Sequence, residues 1–139
     1  MTQATLTGRC LCGAVQYEIN GEAERFYYCH CSRCRKLTGS GFASNLLVSP
    51  VDCLRWIKGE DKLKHFKVPE AERFYNLFCS ECGSPMPRVV EVLNGVLIPA
   101  GSLNEEPPIA PSARIFWESR AEWTCPDESL PVFAEYPPA

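Results

Sequence analysis

Nine cysteines in a chain of 139 residues constrain the fold more than any other feature of this sequence. Seven of them fall into three short clusters: Gly8-Arg9-Cys10-Leu11-Cys12-Gly13, Cys29-His30-Cys31-Ser32-Arg33-Cys34 and Phe78-Cys79-Ser80-Glu81-Cys82-Gly83. The stretch from Met1 to Val15 lacks the basic-then-apolar layout of a secretory leader, so the expected location is the cytoplasm. In that reducing setting clustered thiols are metal ligands more often than disulfides. The odd count also leaves a thiol over in any all-disulfide scheme.

The seven divide as four plus three. Two thiolates spaced as in Cys79-x-x-Cys82 converge on one ion while nearby backbone N–H groups solvate the sulfurs, and a following glycine such as Gly83 is expected to relieve crowding. Cys10-x-Cys12 is a tighter hook that a bent strand or turn can aim inward. The simplest arrangement has the two hooks share one Zn²⁺, whose four thiolates make a closed, structural site that clips distant parts of the chain. Cys29, Cys31 and Cys34 already supply three ligands from six residues, with no obvious fourth. Three protein ligands plus an open position is the catalytic pattern.

Other readings stay open at this level. An isolated C-x-x-C pair also suits a redox dithiol, and the second site becomes structural if His30, His65 or Cys53 completes it. His30, between two ligands, should turn its ring away from their ion, to a place behind the ligands or at the surface. His65 lies in a Lys-rich alternating segment and reads as an exposed strand residue. Cys53 and Cys125 read as small, buried or partly buried side chains.

A mass of 15.6 kDa suits one domain over residues 1–139, with a core from about 5 to 125 and a tail from 126 to 139. The tail is expected to be irregular and partly anchored by Phe133 and Tyr136. Hydrophobic residues at 45% and charged residues at 22% exclude a disordered chain. The longest uncharged run, Leu37 to Val51, is too short and too polar to span a bilayer. A net charge of −3 disfavours a nucleic-acid binder, which needs a basic surplus. The oligomeric state is not readable.

Short segments rich in aromatic and β-branched residues, separated by turn signals, predict a mainly β, mostly antiparallel domain. The expected strands are Ala14–Ile19, Arg25–Cys29, Gly41–Val48, Cys53–Lys58, Leu63–Val68, Arg73–Phe78, Val89–Val92, Val96–Pro99 and Arg114–Trp117. Asn20-Gly21 and Asn94-Gly95 read as hairpin turns. Only Ser32–Leu37 and Ser119–Trp123 suit a helical turn.

At its cysteine clusters the sequence resembles the glutathione-dependent formaldehyde-activating enzyme family, also called the centromere-protein-V-type domain family. The matching residues are Gly8-x-Cys10-x-Cys12-Gly13, Cys29-His30-Cys31-Ser32-x-Cys34-Arg35-Lys36 with Gly39, and Phe78-Cys79-x-x-Cys82-Gly83. Softer matches are Gly101-Ser102-Leu103 and Ser119-x-x-x-Trp123. The resemblance implies a small zinc-containing β fold of the β-tent type. It implies two zinc ions per chain, a structural one on Cys10, Cys12, Cys79 and Cys82 and a catalytic one on Cys29, Cys31 and Cys34. It also implies a carbon–sulfur lyase that joins glutathione and formaldehyde reversibly as S-hydroxymethylglutathione. Arg114 stands where the family often has a histidine before the late strand. Arg33, Arg35 and Lys36, beside the open site, are candidate partners for glutathione carboxylates. The alternative is a zinc-stabilised binding module or chaperone without catalysis.

Overall fold

The computed structural model describes residues 2–124 and 129–138. Among the described residues nine strands and one α-helix follow one another as β1 (Gln3–Arg9), β2 (Gln16–Cys29), α1 (Ser32–Thr38), β3 (Ala43–Ser49), β4 (Leu54–Lys58), β5 (Leu63–Lys67), β6 (Tyr75–Cys79), β7 (Arg88–Val90), β8 (Gly95–Pro99) and β9 (Ala113–Ile115). The protein is therefore mainly antiparallel β, as the alternation and turn signals predict. Among the described residues no helix is long and apolar enough to cross a membrane.

One long strand organises the sheet. β2 runs for 14 residues, and its first half pairs with β1 on one side and β4 on the other. Its second half pairs antiparallel with β3 and parallel with β9. The path continues β3–β8–β7, while β5 and β6 form a separate two-stranded sheet. Asn20-Gly21, expected to turn the chain, instead lies inside β2, where Gly21 opposes Ala4 of β1. The reason is tertiary: a Cβ on Gly21 would stand 2.3 Å from the Ser49 carbonyl oxygen, so the glycine lets strands approach rather than reverse. β1 itself escapes the sequence reading because its inward residues are the modest Ala4, Leu6 and Gly8, set between exposed Gln3, Thr5, Thr7 and Arg9.

The other turn signal holds. β7 and β8 form an antiparallel hairpin, with Asn94 at φ 47° closing a single 3₁₀ turn over Glu91–Leu93. α1 starts and stops where its ends dictate. Cys31 is its N-cap, and Gly39, at φ 66°, returns its N–H to the Arg35 carbonyl. The late helical turn forms at Trp117–Ser119, just before the expected segment.

The core is the period-2 face of these strands: Ala4, Leu6, Val15, Tyr17, Ile19, Phe26, Leu46, Val48, Met86, Val96 and Ile98, with Cys10 and Cys79 sealed into it. Cys53 is also buried, as expected. Cys125 lies outside the described residues. The tail is irregular, but Phe133 and Tyr136 are both exposed, so neither anchors it.

Candidate functional site

The chain brings the seven clustered cysteines into two groups. Cys10, Cys12, Cys79 and Cys82 form one and Cys29, Cys31 and Cys34 the other, with all sulfurs in each group within 4.8 Å of one another. The first group joins the turn after β1 to the turn after β6, and its Cys12 and Cys79 are 67 positions apart.

Sulfur separations there are 3.7 Å for Cys10–Cys12 and 3.9 Å for Cys12–Cys79. A disulfide needs about 2 Å, whereas four thiolates at about 2.3 Å from one ion stand roughly 3.8 Å apart at tetrahedral angles. The spacing fits a tetrahedral thiolate site. Backbone N–H groups point at the sulfurs, from Val15 to Cys10 Sγ at 3.3 Å and from Glu81 to Cys79 Sγ at 3.4 Å. Hydrogen bonds from the Ser84 hydroxyl and backbone hold the Cys82 thiol down at about 5, a ready thiolate. Gly13 and Gly83 sit at φ 79° and 80°, and a Cβ on Gly83 would meet nothing within 4 Å. The role of Gly83 is thus a left-handed backbone and not relief of crowding, whereas a Cβ on Gly13 would also stand 3.2 Å from Arg9 Nη1.

The second group is built by the end of β2 and the start of α1. Cys29 opposes Ala43 of β3 and Ile115 of β9, which fixes it to the sheet. Cys34 donates its backbone N–H to Cys31 Sγ at 3.3 Å. Hydrogen bonding with Cys34 is the main reason the Cys29 thiol drops to about 6, helped by Cys31 and by the positive charge of Arg88. The Cys34 thiol is pushed up by the same pairing. A thiolate at Cys29 is a ready first ligand for a cation.

These three cysteines open into a cavity of about 600 Å³ whose lining also includes Arg25, Arg33, Leu47, Phe74, Arg88 and Leu97. The lining carries three arginines and no carboxylate, in a protein whose net charge is −3. Arg33 is therefore placed as the sequence suggests, while Arg35 and Lys36 do not line the cavity. Arg88 is the cavity cation that sequence reasoning misses. It packs over the Phe74 ring at 4.5 Å and donates to the Tyr75 carbonyl. Its only trace in the sequence is a lone cation in the otherwise apolar run Pro85–Val90. Arg25 carries no sequence signal beyond its place in the expected strand Arg25–Cys29.

His30 is fully buried, which removes the surface alternative. Its Nε2 lies 3.1 Å from Arg114 Nη1. A guanidinium only donates, so Nε2 accepts and the imidazole is the neutral Nδ1–H tautomer. Burial, then the charges of Arg114 and Arg120, lower its pKa. Arg114 in turn lies over the rings of Tyr28, Phe42 and Trp117, at 5.2 to 5.9 Å. This stack braces the backbone between Cys29 and Cys31 and gives Arg114 a role. His65 is exposed on β5, as expected.

Comparison with known proteins follows the same lines. A family model described as "Glutathione-dependent formaldehyde-activating enzyme" matches residues 5–119. No curated protein gives a significant match. Among solved structures, a crystal structure of a Rhodobacter sphaeroides protein from a structural-genomics programme is similar, with a TM-score of 0.56 and 22% identity, covering 78% of this chain and 99% of that one. At that identity the likeness speaks for the fold alone.

Proposed function

We propose, from the premise that this chain belongs to the glutathione-dependent formaldehyde-activating enzyme family, that it joins a glutathione-like thiol to a small, formaldehyde-like aldehyde, reversibly, as an S-hydroxymethyl adduct. In that reading it is a carbon–sulfur lyase. The observation that carries the reading is the opening of three convergent thiols into a cavity large enough for a tripeptide.

Both thiol groups suit zinc, which favours sulfur ligands and tetrahedral sites. Cys10, Cys12, Cys79 and Cys82 would hold a closed structural ion. Cys29, Cys31 and Cys34 would hold a second with one position free, where it supplies Lewis acidity to an incoming thiol or carbonyl oxygen.

The chain's own residues do the rest. In the forward direction the thiol sulfur bonds to the aldehyde carbon and the thiol proton ends on the new hydroxyl; the reverse step breaks that bond. Formaldehyde adds to thiols unaided, so the gain lies in holding the partners together. Arg25, Arg33 and Arg88 favour an anionic thiol, and Phe74, Ile115 and Phe116 keep part of the wall apolar. The His30–Arg114 stack keeps Cys29 and Cys31 in place without adding a titrating proton.

NMR exchange spectroscopy on glutathione, formaldehyde and their adduct tests the reading. Interconversion should quicken in proportion to added protein and lose that dependence with Cys31→Ser. Equal rates with and without protein would overturn it.

A further inference from the structure

Two of the cavity's cations are placed by strand register. Arg25 of β2 opposes Leu47 of β3, Leu47 opposes Leu97 of β8, and Leu97 opposes Arg88 of β7. Arg25, Leu47, Leu97 and Arg88 thus form one row across four strands, and all four line the cavity. Three interstrand steps put the two arginine Cα atoms ~14 Å apart. Among the described residues neither has a carboxylate in ion-pair contact. Two unpaired cations bracket an apolar floor.

The ends of the row differ. Arg88 is close enough to Cys29, Cys31 and Cys34 to interact with them electrostatically. Arg25 lies four residues down β2 from Cys29, ~13 Å along the strand. A register shift between Ala23 and Arg25 bulges the strand at Glu24, so Glu24 and Arg25, though adjacent, border one further hollow. The near end therefore offers a cation alone. The far end offers a cation and a carboxylate together.

Glutathione has matching ends. From its sulfur the glycyl carboxylate is six bonds away and the γ-glutamyl α-carboxylate eight, ~10 Å when extended. The long arm ends in a zwitterion, an α-carboxylate beside an α-ammonium; the short arm ends in a carboxylate alone. We infer that Arg88 takes the glycyl carboxylate while Arg25 and Glu24 take the γ-glutamyl carboxylate and ammonium, making these residues the determinants of thiol choice. The inference rests on the reaction proposed above, because that reaction places the sulfur at the three cysteines.

Calorimetric titration with S-methylglutathione tests it apart from the chemistry, since a thioether has no thiol to react. Arg25→Gln and Glu24→Gln should each weaken binding, Arg25→Gln by roughly ten- to a hundredfold. Neither should affect S-methyl-cysteinylglycine, which lacks the γ-glutamyl arm. Arg88→Gln should weaken S-methylglutathione but not its glycine amide. If Arg88→Gln does not fold, the amide against the wild type reads the same contact, with a loss of similar size expected. Wild-type binding that ignores both the amide and the missing arm would overturn the inference, even if adduct exchange is accelerated. Accelerated exchange with no S-methylglutathione binding would overturn it too. Binding that follows the arms without accelerated exchange would sustain the inference and sink the reaction.

Discussion

Replacing Cys79 by serine should damage the fold far more than replacing Cys31, although each removes one sulfur from a proposed zinc site. Cys79 is fully buried, and its group links chain segments 67 residues apart. Treated as a crosslink, closure of such a loop is worth about 4 kcal/mol of denatured-chain entropy. Closure over the six residues from Cys29 to Cys34 is worth about 2 kcal/mol by the same relation. Part of that is already secured by the backbone of α1 and its Gly39 cap. Against a domain stability of about 5–15 kcal/mol, the first loss is most of the lower figure, whereas the second leaves more than half of it. The expected fall in Tm is about 15 °C or outright unfolding for Cys79→Ser, and about half that or less for Cys31→Ser. Calorimetric melting of the metal-loaded proteins, with the metal content of each sample counted, reads the difference. Equal shifts in the two variants, or a larger one in Cys31→Ser, would refute the division into structural and open sites.

Further outcomes follow from single observations. Protein purified without chelator should carry two zinc ions by elemental analysis, and chelation should remove the ion of the three-cysteine group first, because that group exposes a coordination position to the cavity. Burial pushes the Tyr17 phenol up to about 12, against a weaker opposing effect of its bond to Ser102. The native state thus keeps a proton that the unfolded chain releases near pH 10, so this contribution is intact below pH 10 and about 2.7 kcal/mol of it is lost as pH rises through 12. Denaturant titrations at pH 9 and 12 should show that loss, reduced in Tyr17→Phe. Gly59→Ala should cost about 3 kcal/mol or more, because at φ 79° its Cβ would stand 1.9 Å from the Ala14 carbonyl oxygen. Gly83→Ala, at φ 80° in open space, should cost only about 1 kcal/mol, and urea melts of the pair compare them directly.

Much of the candidate site was legible because its signals are local. Cys29, Cys31 and Cys34 lie within one strand end and one helical turn, so their convergence is written in their spacing. The two-cysteine hooks announce themselves the same way, and elimination pairs them across the chain. Strand alternation, set by the backbone's period of two, is likewise legible in Ala14–Ile19, whose residues alternate half-buried and buried. Register is different, because it depends on which strands meet. No local pattern in β2 tells that Asn20-Gly21 will be pinned between β1 and Ser49 rather than reverse the chain. Arg35 adjoins Cys34 in sequence, but a helix turns successive side chains by about 100°, so two steps from Arg33 send it away from the cavity that Arg33 lines; Lys36, back within about 60° of Arg33, stands ~4.5 Å further along α1 and does not line it either. Arg25 and Arg88, far apart in the chain, share one transverse row because β3 and β8 separate their strands. His30 and Arg114 meet only because β9 adds in parallel beside the end of β2. The sequence alone determined which side chains can hold metal, since ligand chemistry and short spacing are properties of the chain. The tertiary structure decided which cations face the thiols, since sheet pairing, and not sequence distance, sets what lies across a cleft.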